Sequence, residues 1–332
     1  MILCAGHAAF DLFVPLPAFP EEDRKYHLER TEESSGGPAS NAASLLGRWG
    51  VHVALLAPVG KDAFGAIVRA DLEADGVRTD LLRIDQDIPT PLSVILTSGT
   101  TGSRTILTRK PERPSLVLDR ALLDRLAPAA EIDGPEGVSG LLFDGHEPEV
   151  SMALLDRYPH VWSLLDAGTL RPGTERLARR VDYLIASESF TFALAEREGL
   201  AMDGLPREGA AGAASDDNHT SCGIAALRHL SDRWVAFTRG GLGCVWQATP
   251  AGTIRSMPAL SGDVVDTTGA GDIFHGAFAY GLQTETSPAR ALLWATAAAG
   301  LSVRRQGGRA SIPTLEETKA IIERGLVSIT DD

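Results

Sequence analysis

The chain has 332 residues, enough for a large buried core, and is 44% hydrophobic and 23% charged, as an ordinary globular protein is. Its 44 acidic against 31 basic residues leave a formal charge of −13, which argues against a nucleic-acid or anionic-membrane surface, because neutralising phosphate needs clustered Lys and Arg. No window reaches the roughly 18 apolar residues that span a bilayer, the first residues lack a signal-peptide pattern, and three scattered cysteines (Cys4, Cys222, Cys244) suggest reduced thiols in a cytoplasmic protein.

In chain order, "MILCAGHAAF" reads as a first apolar strand. Residues 12–35 follow with three prolines and the charged stretch "EEDRKYHLERTEES". Residues 38–50 have helical period, "HVALLAPVG" is a strand, and 62–76 are again helical. In 89–110, "PTPLSVILTSGTTGSRTILTRK", apolar and polar residues alternate around a Gly-Thr-Thr-Gly turn, which predicts a hairpin. Helical segments at 116–127, 147–158 and 221–232 then alternate with the strands "GLLFDG", "VWSLLDAG", "YLIAS" and "WVAFTRGG". Residues 205–220, rich in Gly, Ala and Asp, read as a surface loop. Continuous apolar strands between amphipathic helices predict a mostly parallel sheet covered on both faces, a three-layer α/β/α sandwich. The segments 12–35 and 89–110 read as antiparallel strands of a small β-sheet lid, and 1–11, 36–88 and 111–332 as the main domain.

Three glycine-rich places fall where such a sheet binds ligands, beyond the carboxyl ends of its strands. In "DVVDTTGAGDIFHGAFAYGL" (263–282), Gly269-Ala270-Gly271 turns the chain into a helix, leaving first-turn N–H groups to face an anion beside Asp272. The helix dipole would keep Asp272 ionised, as a weak base suited to phosphoryl transfer. An N-capping Asp after a Gly turn is the alternative. "TRGGLGCVW" (238–246) offers either a close backbone approach to a ligand or a plain hairpin turn; it is not G-x-G-x-x-G, so a dinucleotide oxidoreductase is poorly supported. In "SSGGPASNAASLLGRWG", Asn41 lies on the first turn of a helix, where Asn is a poor choice unless its side chain bonds outside the helix or simply meets solvent. "FDGHEP" (143–148) ends a strand on the same side, so Asp144 or His146 could meet a ligand; His275 reads as structural, and Ser287-Pro288 as the cap of a further helix.

With these residues in view, the chain resembles the ribokinase/PfkB family of carbohydrate kinases. "DTTGAGD" is similar to that family's C-terminal signature, and "GGPASNAASLLGRWG" with "VGKDAFG" to its N-terminal elements. The resemblance implies ATP-dependent phosphorylation of a sugar hydroxyl beneath a lid, with Asp272 as base and Gly269, Ala270 and Gly271 as anion hole. It places Asp11, Gly36, Gly37 and Asn41 on the sugar and Thr238, Gly240 and Gly243 on the nucleotide. Asp266 and the Thr268 carbonyl would form a monovalent-cation site, often for potassium. Magnesium would accompany the nucleotide, but the family's Asn-x-x-Glu element is replaced by Ser187 and Phe190. Within the family the chain is most similar to sulfofructose kinase-like and related keto-sugar kinases. Lys25 matches a lid lysine that meets an anionic sugar, while its two expected partners are replaced by Thr108 and His146; Arg104 or Arg109 could reach an acidic substrate instead. A nucleoside kinase of the same superfamily and a non-catalytic sugar- or nucleotide-binding regulator are the alternatives. Pairing of exposed lid strands implies a homodimer.

Overall fold

The computed structural model describes residues 1–100, 104–130, 137–200, 216–285 and 287–329. Its strands are β1 (Ile2–Ala5), β2 (Ala9–Leu16), β3 (Glu32–Gly36), β4 (Val53–Leu56), β5 (Pro58–Gly60), β6 (Arg83–Asp85), β7 (Leu92–Ser98), β8 (Arg104–Arg109), β9 (Gly140–Phe143), β10 (Trp162–Ala167), β11 (Tyr183–Ser187), β12 (Trp234–Thr238), β13 (Cys244–Gln247) and β14 (Arg255–Met257). The α-helices are α1 (Pro38–Arg48), α2 (Ala63–Ala74), α3 (Arg120–Ala130), α4 (Pro148–Arg157), α5 (Pro172–Ala178), α6 (Glu188–Arg197), α7 (Asp216–Arg228), α8 (Ala270–Thr284), α9 (Pro288–Ser302) and α10 (Leu315–Glu323). Among the described residues, no helix is long and apolar enough to cross a membrane.

Eight strands form the main sheet in the order β14-β13-β12-β11-β10-β9-β1-β4. It is parallel from β4 to β12, and antiparallel only at the β13 and β14 edge. The parallel strands can be apolar throughout because helices cover both faces. On one side Ile2 and Cys4 belong to a core with Leu45 of α1, Phe278 of α8, Leu292 of α9 and Ile321 of α10. On the other, Leu3 and Ala5 pack with Leu126, Leu154, Leu177, Leu194 and Leu227 of α3 to α7. This is the α/β/α sandwich that the alternation of strands and helices predicts.

A second sheet has the order β3-β2-β7-β8. Its outer pairs, β2 with β3 and β7 with β8, are antiparallel as expected. Its central pair is not: β2 and β7 run parallel, from Phe10 opposite Leu92 to Leu16 opposite Ser98. Between β3 and β7 the chain passes through α1, β4 and α2 and re-enters this sheet in the direction of β2, a crossover that periodicity cannot reveal. β2 also begins at Ala9, earlier than the segment read as lid. The short parallel pair β5–β6 has no counterpart in the sequence reading. Residues 101–103 of the hairpin turn and 205–215 of the loop lie outside the described residues; 216–220 already belong to α7.

Candidate active site

The strand ends bring three of the glycine segments to one side. α8 starts from Gly269, whose φ of 73° is left-handed, and a Cβ there would stand 3.1 Å from the Gly308 Cα. Both facts favour glycine. The Ala270 N–H turns back to the Thr267 carbonyl at 3.3 Å, and Ile273 N–H bonds the Gly269 carbonyl. That removes Ala270 from the expected set of donors. The N–H groups of Gly269, Gly271 and Asp272 make no hydrogen bond among the described residues, and a Cβ on Gly271 would meet only open space. An anion can therefore approach the helix start closely.

Asp272, in the first turn of α8, is reached from a distant part of the chain. Asn41 of α1 donates its Nδ2 to Asp272 Oδ2 at 2.7 Å. The Asn41 side chain is thus directed out of its own helix, and its Oδ1, buried, has no partner among the described residues. Burial and then the neighbouring Asp166 push the Asp272 carboxyl up to about 7, against the Asn41 hydrogen bond and His275. The low pKa expected from the helix dipole is corrected: desolvation and like charge outweigh it. Asp166, at the end of β10, is itself raised to about 7 by burial and then by Asp144. Sequence reading passed over it as the end of an apolar strand. His275 lies beneath, with Nδ1 2.7 Å from the Gly271 carbonyl and 3.2 Å from Asp166 Oδ2, and Nε2 3.3 Å from the Ile185 carbonyl. It ties the helix to the sheet, the structural part read for it.

Where the sugar is expected, Asp11 lies under Gly36, where a Cβ would come within 1.9 Å of its Oδ2. Burial pushes Asp11 up to about 6, opposed by a Ser93 hydrogen bond and by the Arg309 charge. Gly37, with φ 97°, caps α1 against the His7 carbonyl. Asp144 is a fastening rather than an open ligand: its carboxylate accepts the N–H groups of His7, Ala39 and His146. Those bonds, with the His146 side chain, hold it well below the usual carboxylate range despite burial. His146 stacks on His7 at 4.9 Å between ring centroids. Lys25 is exposed in the segment between β2 and β3.

Beside the start of α8, a cavity of about 420 Å3 joins the first and second glycine segments. Thr238, Gly240 and Gly243 line it with Gly271, Phe274 and, from α9, Thr296, Ala299 and Gly300. β12 and β13 are a hairpin around that loop, as the hairpin reading has it, and the loop also lines the cavity. Gly243 has φ 88°, and a Cβ would stand 2.0 Å from the Met257 carbonyl. The small residues of α9 serve both wall and core. Ser187 does not line this cavity; its Oγ caps α6 by accepting the Phe190 N–H and donates to the Gly168 carbonyl. Phe190 is buried in the core. Asp266 Oδ1 accepts from Thr268 N and Oγ1, and its Oδ2 from Gly307 N–H. Among the described residues, no group of three or more His, Cys, Asp or Glu could hold a metal.

A carboxylate beside unpaired helix N–H groups, between a polar floor and a glycine-walled cavity, suits phosphoryl transfer to an alcohol group. The chain matches the model of the pfkB family of carbohydrate kinases over residues 1–131 and 166–315. It belongs to that family, and so to the phosphotransferases with an alcohol group as acceptor. A curated relative, the ATP-dependent ribose-1-phosphate kinase of Halopiger xanaduensis, is 27% identical over 97% of each chain. The ribokinase of Bacillus subtilis is 24% identical over 97% of this chain and 99% of its own. Among solved structures, ribokinase of Arabidopsis thaliana complexed with ribose and ATP superposes with a TM-score of 0.76 at 22% identity, covering 97% of this chain and 98% of that one.

Proposed function

We propose that the protein transfers the γ-phosphoryl group of ATP to a hydroxyl of a small sugar, with Asp272 accepting the hydroxyl proton. The observation that carries this reading is the 2.7 Å bond from Asn41 to Asp272, which joins the polar floor to the helix start that faces the glycine-walled cavity. The N–H groups of Gly271 and Asp272 stabilise the charge of the transferring phosphoryl group. The buried Asn41 Oδ1 takes a sugar hydroxyl as its missing donor, while Asp11, Gly36 and Gly37 flank the ring. Magnesium would accompany ATP and offset the charge of its phosphates; among the described residues no group of three or more His, Cys, Asp or Glu could cage it, so it would be held largely through its waters. The β3-β2-β7-β8 sheet acts as a lid that excludes water from the reacting hydroxyl. Relatives named for ribose and for ribose 1-phosphate support a sugar of that size. A nucleoside is disfavoured, because Tyr26 is exposed and Phe10 and Phe64 stack on one another at 4.6 Å, leaving no clear platform for a base. The test is ADP release over pentoses, keto-sugars, sugar acids, sulfofructose and nucleosides, with Asp272→Asn beside the wild type. The variant is expected to lose about 100- to 10,000-fold in kcat, the usual range for a general base, with sugar and ATP binding retained. An active Asp272→Asn would remove the base assignment, and silence of the wild type on every acceptor would favour a binding regulator.

A further inference from the structure

Arg309, in the turn after α9, is a buried charge with few partners. It is 4% exposed, and of its three side-chain nitrogens only Nη2 makes a hydrogen bond among the described residues. Nη1 lies 3.8 Å from Asp75 Oδ2, an ion pair without a hydrogen bond, and Nε has neither. Asp75 is shared with Arg48, whose Nε donates to its Oδ1 at 2.7 Å. Burial brings the Arg309 pKa down to about 10, so the group stays charged at neutral pH. A buried ion paired this loosely costs stability, and an apolar side chain of its size often serves a fold as well or better. Stability therefore does not account for Arg309, whereas its surroundings do. Gly307, Gly308 and Arg309 each touch a different part of the candidate site. The Gly307 N–H donates to Asp266 Oδ2 in the loop before α8. Gly308 lies against the start of α8, its Cα 3.1 Å from where a Gly269 Cβ would stand. Arg309 Nη2 donates to Ser40 Oγ in the first turn of α1, and its carbonyl accepts from Arg48 Nη1 in the last. Ser40 directly precedes Asn41, which donates to Asp272. The cap of α1, Gly37, has no side chain to hold that first turn. Its backbone is held by the Ala39 N–H on Asp144 and the Ser40 N–H on the His7 carbonyl, and Arg309 ties it through a side chain.

We propose that Arg309 is a positioning residue: through Ser40 it sets Asn41 against Asp272, and through its own turn it ties that pair to the glycine start of α8. The inference rests on the sugar-kinase reading and adds to that site a residue that acts only through others. The experiment measures kcat, both KM values, pH profiles and melting for the wild type, Arg309→Met, Ser40→Ala and the double variant. The acceptor is ribose, fructose or ribose 1-phosphate, whichever the wild type uses best with ATP. Arg309→Met removes the charge and keeps the bulk, while Ser40→Ala removes the same contact from its other end. Each single variant is expected to lose about 10-fold in kcat, less than the roughly 100-fold of a full 1 Å misplacement, with the KM for ATP little changed. The pH profile gives a second readout. Around Asp272, burial, Asp166 of β10 and Asp144 of β9 favour the acid, while the Asn41 bond and His275 of α8 favour the carboxylate. A loosened Asn41 therefore moves the acid limb of kcat/KM to higher pH. The double variant should lose no more than the worse single one, because both substitutions break one contact. It should also melt above Ser40→Ala, in which the buried guanidinium has lost its hydrogen bond. Wild-type kcat and acid limb in both single variants, or losses that multiply in the double variant, overturn the positioning role and leave the kinase reading standing. So does an Arg309→Met that melts well below the wild type while the KM for ATP rises too, the mark of a brace for the fold. A wild type that phosphorylates none of the three sugars overturns both.

Discussion

At Asp272 two electrostatic influences oppose each other. The α8 dipole and the Asn41 amide favour the carboxylate, whereas burial and Asp166 favour the acid, and the balance lies near 7. As the proposed base, Asp272 would work only when ionised, so kcat/KM is expected to rise with pH through about 7 and to fall away below it. Asp166→Asn removes the like charge and should shift that acid limb to lower pH; a limb that stays in place would show that burial alone sets it. Stability runs the opposite way. The folded state holds the Asp272 proton more tightly than the unfolded chain does, so this group's contribution weakens as pH rises from about 4 through 7. Asp272→Asn should therefore melt above the wild type at pH 8, by about 1–2 °C for each kcal/mol recovered in a chain of 332 residues, and the gap should narrow toward pH 4. The sequence marks Asp272 and Asn41 through local signals, a carboxylate after Gly-Ala-Gly and an Asn in a helix's first turn. It cannot mark the pKa, because Asp166 comes from a distant strand and meets Asp272 only once β10 and α8 are packed.

The same division holds for whole elements. Strands and helices of the main sheet were legible because each carries its own period, and α9 even shows its Ser287 cap and Pro288. Relations between elements were not legible, as the parallel β2–β7 pair shows. Arg309 is a further case: it stands in "GGRASIP", yet nothing local says that its guanidinium is buried, bonds Ser40 Oγ beside Asn41, and comes within 3.8 Å of Asp75. Through it the turn after α9 is fixed to α1. The loop before α8 is fixed to that same turn, by Asp266 accepting the Gly307 N–H and by Val265 N–H on the Val303 carbonyl. A monovalent cation on the Asp266 carboxylate and the Thr268 carbonyl would tighten this loop and hold the N–H groups of α8 toward the phosphoryl group. Potassium is expected to raise kcat/KM by about tenfold, roughly 1.4 kcal/mol of barrier, over a buffer whose only counter-ion is a bulky organic cation. Indifference to potassium and sodium alike would remove the cation site.

For the molecule as a whole, the lid sheet poses a packing problem that one chain does not solve. β8 is its outermost strand, paired only with β7. Ile106 is 49% exposed and Leu107 56%. Successive residues of a strand point to opposite faces, so on both faces of β8 an apolar side chain is left about half exposed by the described residues. An exposed strand edge with apolar side chains on both faces is a template for another strand, and a second copy of the same lid is the partner always present at equal concentration. We expect a dimer formed through the lids, with an interface of the usual size, on the order of 1,200–2,000 Å2 in total. Sedimentation at micromolar concentration should show twice the chain mass of 35.2 kDa. Ile106→Glu combined with Leu107→Glu should return it to one chain mass, because four carboxylates brought together across the interface repel and must be desolvated. If this sheet closes over the acceptor sugar as proposed, the monomeric variant should also show a higher KM for the sugar, with the KM for ATP little changed. A wild type that sediments as one chain, or a double variant that remains a dimer, would place the association surface elsewhere or remove it.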